Sequence, residues 1–167
     1  MIDNPQKVLE DLKPTKEIFI GIDSDGCVFD TMEIKQKEAF CPTFIKHYKL
    51  QKISKYAREV WEFVNLYSKT RGVNRFKALL RAIEFLERRP EVKARGMKFL
   101  DMTAVAKWVN IESKLGNPAL EKYAKEKNDE MINLTLAWSK EVNKIIAELV
   151  FDIPPFTFVK ESLDKMK

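Results

Sequence analysis

The sequence predicts a mostly helical chain that carries one buried strand of an α/β core, and three observations point there. Ile18-Phe19-Ile20-Gly21-Ile22 is a short, nearly continuous apolar run rich in β-branched residues, the pattern of a strand covered on both faces as in a parallel sheet. From about residue 32 to residue 150, apolar residues instead recur at helical spacing. Only 5 Gly and 7 Pro occur in 167 residues, too few for the many turns of an all-β fold.

Taken in order, Asn4-Pro5 opens a short helix through Val8, Leu9 and Leu12, with Asn4 as N-cap and Pro5 at the first helical position. Pro14 ends it, and the strand follows over Glu17 to Asp23. Ser54 is placed to cap a helix that carries Ala57, Val60, Trp61, Val64 and Tyr67 on one face. Asn74 caps the next, with Phe76, Leu79, Leu80, Ile83 and Leu86 at helical spacing up to Pro90. Further helices are expected over Met102 to Leu115, from Asn117-Pro118, and over Asp129 to Val150 with Leu134, Trp138, Val142, Ile145 and Leu149 as a stripe. These aromatic stripes read as packing surfaces, because burying a helix face accounts for them fully. Pro154-Pro155 forms a rigid connector, and an amphipathic helix runs from Phe156 towards Lys167. A lone strand has nothing to bond to, so the Glu17 to Asp23 strand requires neighbours.

The composition is that of a soluble globular chain, 45% hydrophobic and 33% charged. The net charge of +5 is spread among interspersed Lys and Glu. A solvated helical surface explains that pattern, and a field that concentrates phosphates is the functional alternative. Cys27 and Cys41 are too few for a disulfide framework, and no Cys/His cluster suggests zinc. No signal-like segment or membrane-length apolar run stands out, so a cytoplasmic protein without membrane partners is expected. Lys- and Arg-rich helices with aromatics also fit nucleic-acid binding, but no recognition module supports it, and none is expected.

The chemistry concentrates in Asp23-Ser24-Asp25-Gly26. At the carboxyl end of a parallel strand, side chains project into the crevice where α/β folds bind ligands. Gly26 lets the backbone turn sharply, so that N–H groups at Ser24 and Gly26 can approach an anion. A carboxylate at Asp23 can attack phosphorus, and one at Asp25 can give and take the accompanying proton. Two carboxylates facing a phosphate need a hard divalent cation, and Mg²⁺ fits. A calcium loop would need Gly at its sixth position and Glu at its twelfth, but counting from Asp23, Gly26 is fourth and Ile34 is twelfth.

Phe19 to Thr31, with Val28-Phe29 and Asp30-Thr31 after the glycine, resembles motif I of the haloacid dehalogenase (HAD) superfamily. Cys27 stands where that pattern commonly has Thr, and Ser24 where a larger apolar residue is frequent. The resemblance implies a Rossmann-like α/β core with an all-helical cap. Asp23 would be nucleophile and metal ligand, and Asp25 acid/base and a Mg²⁺ ligand through its backbone carbonyl. Residues 1–31 would be the first part of the core, 32–150 the cap and 151–167 the return to the core. Motifs II to IV are not among these residues. The chain is therefore expected to be the N-terminal piece of a longer Mg²⁺-dependent phosphatase, inactive without the remaining C-terminal part of the core and acting on a small phosphorylated metabolite. A helical interaction module with a vestigial motif is the alternative.

Thr70-Arg71-Gly72-Val73-Asn74-Arg75 is a second candidate, with Arg71, Asn74 and Arg75 as possible substrate contacts from a cap loop. A turn in which Asn74 caps the next helix and both arginines are solvated explains the same residues. His47 reads as a surface or capping residue, and Lys35 and Lys37, though close to the motif, stay outside the candidate site.

Overall fold

A computed structural model describes residues 10–13, 15 and 17–166, and these form a helical body flanked by irregular segments. Most of the helix expected after Asn4-Pro5 lies outside the described residues, as does Pro14. The helical body begins with α1 (Met32–Ile34), which runs on without a break through a π-helical stretch (Lys35–Phe40) into α2 (Cys41–His47). Its wide turn is visible where the Cys41 N–H reaches the Gln36 carbonyl five residues back. Pro42 supplies a reason: it has no N–H for the Glu38 carbonyl and its ring crowds the preceding turn.

A 3₁₀ turn (Gln51–Ile53) leads directly into α3 (Ser54–Glu62), so the chain is already helical before Ser54. Ser54 is thus not the expected cap; Ile53 holds that position, with its side chain buried. A second π-helical stretch (Phe63–Tyr67) ends α3, its last N–H running from Ser68 to Phe63 at 2.7 Å. The hydroxyls of Ser68 and Thr70 both bond the Val64 carbonyl, satisfying an acceptor that the helix end would leave open. This wider winding also turns Tyr67 out of the buried stripe; it is 63% exposed.

Helix α4 (Arg75–Arg88) starts as expected, with the Asn74 side chain accepting from the Phe76 N–H at 3.0 Å. It stops before Pro90, which begins α5 (Pro90–Ala94). Helix α6 (Thr103–Ile111) is shorter than the spacing suggests, because the chain turns extended at Glu112. Helices α7 (Asn117–Lys127) and α8 (Glu130–Leu149) follow, α8 capped by Asp129, whose carboxylate takes the Met131 and Ile132 N–H groups. The buried face of α8 is Ile132, Thr135, Trp138, Ser139 and Val142, while Leu134, Ile145 and Leu149 lie at its margin.

The core is aromatic. Trp61, Trp138 and Phe44 are fully buried, and the Phe44 ring packs tilted against Trp61 at a centroid separation of 4.8 Å. Phe76 meets Trp108 edge-on at 4.9 Å. Two polar ends find partners within this packing, the Trp61 indole donating to Gln36 at 2.9 Å and Tyr48 pairing with Thr135 at 3.0 Å, whereas the buried Trp108 and Trp138 indole N–H groups have none among the described residues. The aromatic stripes of the sequence are therefore packing, as their spacing suggests.

The strand expected over Glu17 to Asp23 is a correction. Among the described residues no strand or sheet forms, and 17–22 enter no backbone hydrogen bond. Without a neighbouring strand the run has no partner for its N–H and C=O groups. Ile18 and Phe19 stand 78% and 81% exposed as a result. The chain does return beside this region after α8. Phe29 bridges to Pro155, and the Phe156 N–H donates to the Val28 carbonyl at 2.9 Å. The last helix, α9 (Val159–Lys165), starts later than its apolar pattern implies, after Phe158 at a φ of +68°. Between α9 and Ile18, Ile20 and Ile22 lies an apolar groove of about 1350 Å³.

Candidate phosphoryl-transfer site

A tight turn builds the candidate site. Val28 and Phe29 both direct their N–H groups to the Ser24 carbonyl at 3.0 Å, and the Gly26 N–H returns to the Phe29 carbonyl at 2.8 Å. Gly26 takes a φ of +72°, a region that L residues with a Cβ enter only at a cost. The glycine is there because the turn requires that conformation.

Asp23 and Asp25 leave this turn in different states. Asp23 is exposed, with one oxygen accepting its neighbour's Ser24 N–H at 2.8 Å and the other free of partners among the described residues. Asp25 is engaged on both oxygens. Thr31 Oγ1 donates to Oδ1 at 2.6 Å, while Lys35 Nζ lies 2.5 Å from Oδ1 and 2.6 Å from Oδ2. The Lys35 hydrogen bonds, then that of Thr31, hold the Asp25 carboxyl below its usual range. Lys35 is the residue that sequence reasoning left out. Its signal was spacing: Thr31 and Lys35 stand four apart on the first helical turn after the motif, on one face.

The helical body reaches the same turn from the other side. A Cβ built on Gly26 would lie 3.7 Å from Arg71 Nη2 and 3.5 Å from the Met32 Cβ. Gly72, at a φ of +79°, makes the bend that aims this loop. Beside it Glu33 pairs with Lys37 at 2.9 Å, and the Tyr67 hydroxyl approaches Glu33 at 3.4 Å. Glu33 is held below the usual carboxylate range, chiefly by Lys37.

The three residues expected in the second candidate separate. Arg71 reaches the motif loop. Asn74 is a helix cap, and its amide donates to the Leu115 carbonyl at 3.1 Å. Arg75 turns inward: Nη1 donates to Ser139 Oγ at 3.1 Å and to Asn143 Oδ1 at 2.7 Å, and the guanidinium lies over Phe40 at 4.9 Å. Arg75 was expected to be solvated or to contact substrate; it knits α4 to α8 instead. His47 pairs with Glu141 at 2.6 Å, away from the motif.

For a metal, the turn offers the free Asp23 oxygen and the Asp25 carbonyl, which accepts no backbone hydrogen bond among the described residues. No group of three His, Cys, Asp or Glu is gathered among the described residues. Two oxygens match the share of a Mg²⁺ shell that one segment supplies, since this ion keeps several waters.

No family model matches the chain, and neither a curated protein nor a solved structure matches it. The likeness to HAD motif I therefore rests on the residues from Phe19 to Thr31. No described helix is long and apolar enough to cross a membrane.

Proposed function

We propose that this chain carries the nucleophile loop and the helical lid of a Mg²⁺-dependent phosphohydrolase that acts on small phosphorylated metabolites. The observation that carries the reading is the turn itself: an Asp23 carboxylate with a free oxygen beside an oriented Asp25, with cations from the helical body brought to it. In the first step an Asp23 oxygen attacks phosphorus, the bond to the ester oxygen breaks, and that oxygen takes a proton from Asp25, which can carry one only once the Lys35 contact that keeps it ionised is released. In the second, Asp25 takes a proton from water, the water oxygen attacks phosphorus, and Asp23 leaves as a free carboxylate with release of inorganic phosphate. Asp23 and the Asp25 carbonyl would hold Mg²⁺, which when bound offsets the repulsion between carboxylates and phosphate. The Ser24 and Gly26 N–H groups, given in this turn to Asp23 Oδ1 and the Phe29 carbonyl, would have to be released to bind the phosphoryl group, and Arg71 contacts the substrate from the lid.

Residues 1–31 and 151–167 belong in this reading to an α/β core, with 32–150 as the cap. In this reading the exposed Ile18 to Ile22 run would pair as a strand only within a complete α/β core, which would also supply the other phosphate and metal ligands. The same exposed run favours a second reading, a helical interaction module with a vestigial motif. Thermal melts of the protein with its complete core separate the two. Mg²⁺ with beryllium fluoride should raise the melting temperature of wild type but not of Asp23→Asn. No shift in wild type, and no acid-stable label on Asp23 after borohydride trapping of phosphorylated protein, would rule out the phosphohydrolase.

A further inference from the structure

Lys35 and Lys37 lie two residues apart on one helix and have different partners. Lys37 is held by two acids of the helical body, Glu33 at 2.9 Å and Glu62 at 3.8 Å. Lys35 has one acidic partner among the described residues, and that partner is Asp25. Its side chain is 17% exposed, and its ammonium is held at the motif. It also begins the π-helical stretch, a winding found often where a helix presents a functional side chain.

We propose that Lys35 is the phosphoryl-binding cation of the lid, and that it trades Asp25 for a phosphoryl oxygen when an anionic substrate enters. The inference rests on the phosphohydrolase reading above. Three points of geometry support the trade. Lysine is a compact charge on a flexible stem, able to move a few ångströms without any backbone shift. Thr31 grips only Oδ1 of Asp25, so departure of the ammonium leaves the carboxylate oriented and Oδ2 open towards the substrate. Arg71 makes no ion pair within 4.0 Å among the described residues, yet its Nη2 overhangs Gly26, so a second lid cation stands ready beside the first. The pair suits a dianionic phosphomonoester, whose charge repays the loss of the Lys35–Asp25 contact.

The experiment uses the protein with its complete core and compares wild type, Lys35→Met, Lys35→Arg and Asp23→Asn. Turnover of p-nitrophenyl phosphate gives kcat and KM, and calorimetry with inorganic phosphate and Mg²⁺ reads binding without turnover. Lys35→Met should raise KM and weaken phosphate binding about tenfold or more, the scale of one charge-assisted hydrogen bond, and Lys35→Arg should recover most of it. If Lys35→Met does not fold, Lys35→Gln gives the same comparison. Unchanged KM and phosphate affinity in a folded Lys35 variant of an active enzyme overturns the role of Lys35 and leaves the phosphohydrolase standing. Phosphate that binds neither wild type nor Asp23→Asn, with no turnover by either, overturns both.

Discussion

Replacing Arg75 by methionine tests whether this arginine is a packing residue. Nη1 bonds Ser139 Oγ, the Ser139 carbonyl and Asn143 Oδ1, and the guanidinium lies over Phe40. Hydrogen bonds to a charged group contribute about 1.5–3 kcal/mol each, but most of that gross value returns in the variant. Ser139 Oγ keeps its own bond to Asn117 at 2.5 Å, and Asn143 is exposed enough to bond water. Methionine also preserves the apolar stem against Phe40. What is lost is the contact over the ring, about 0.5–2 kcal/mol, and the coupling of α4 to α8, about one net hydrogen bond of ~1 kcal/mol. The expected loss is therefore about 1.5–3 kcal/mol, or roughly 3–12 °C in melting temperature for a chain of this size. Urea unfolding followed by tryptophan fluorescence reads it directly. A change below about 0.5 kcal/mol, the scale of an ordinary surface substitution, would refute the reasoning. Arg71→Ala should fall in that small class, because Arg71 is exposed and holds no ion pair among the described residues.

Two further expectations concern titration. Cys27 is exposed, whereas Cys41 is buried and its thiol is pushed up to about 12 by that burial. An aromatic disulfide reagent at neutral pH should therefore modify Cys27 rapidly and Cys41 only after denaturation; two fast equivalents in the native protein would contradict the packing at α2. Glu141 is held below its ordinary value of 4.5, first by Lys46 and then by His47. A depressed carboxyl contributes stability above its unfolded value and loses it as pH falls through the folded one. Melting curves of wild type and Glu141→Gln should thus differ at pH 5.5 by no more than about 1 kcal/mol, a surface-pair value, and converge at lower pH. A gap that widens on acidification would reverse the sign of the argument.

Local rules made much of this chain legible. The Asn74 and Asp129 caps, the stop before Pro90 and the start at Asn117-Pro118 need only a few neighbouring residues to decide them. The burial of Trp61 and Trp138 followed from spacing alone. The paired aspartates and the glycine could also be picked out, because a turn that presents two carboxylates is encoded in six consecutive residues.

Tertiary structure decided what those residues face. Arg71 and Arg75 look equivalent in the sequence, yet the bend at Gly72 sends one to the motif loop and the start of α4 sends the other into the interior. Lys35 and Lys37 were equally indistinguishable until helix winding assigned them different acids. For Ile18 to Ile22 the sequence determined apolarity and β-branching, but a strand exists only through hydrogen bonds to another strand. Helical bonds close within a segment, so helices form from local information, whereas a strand depends on residues far away.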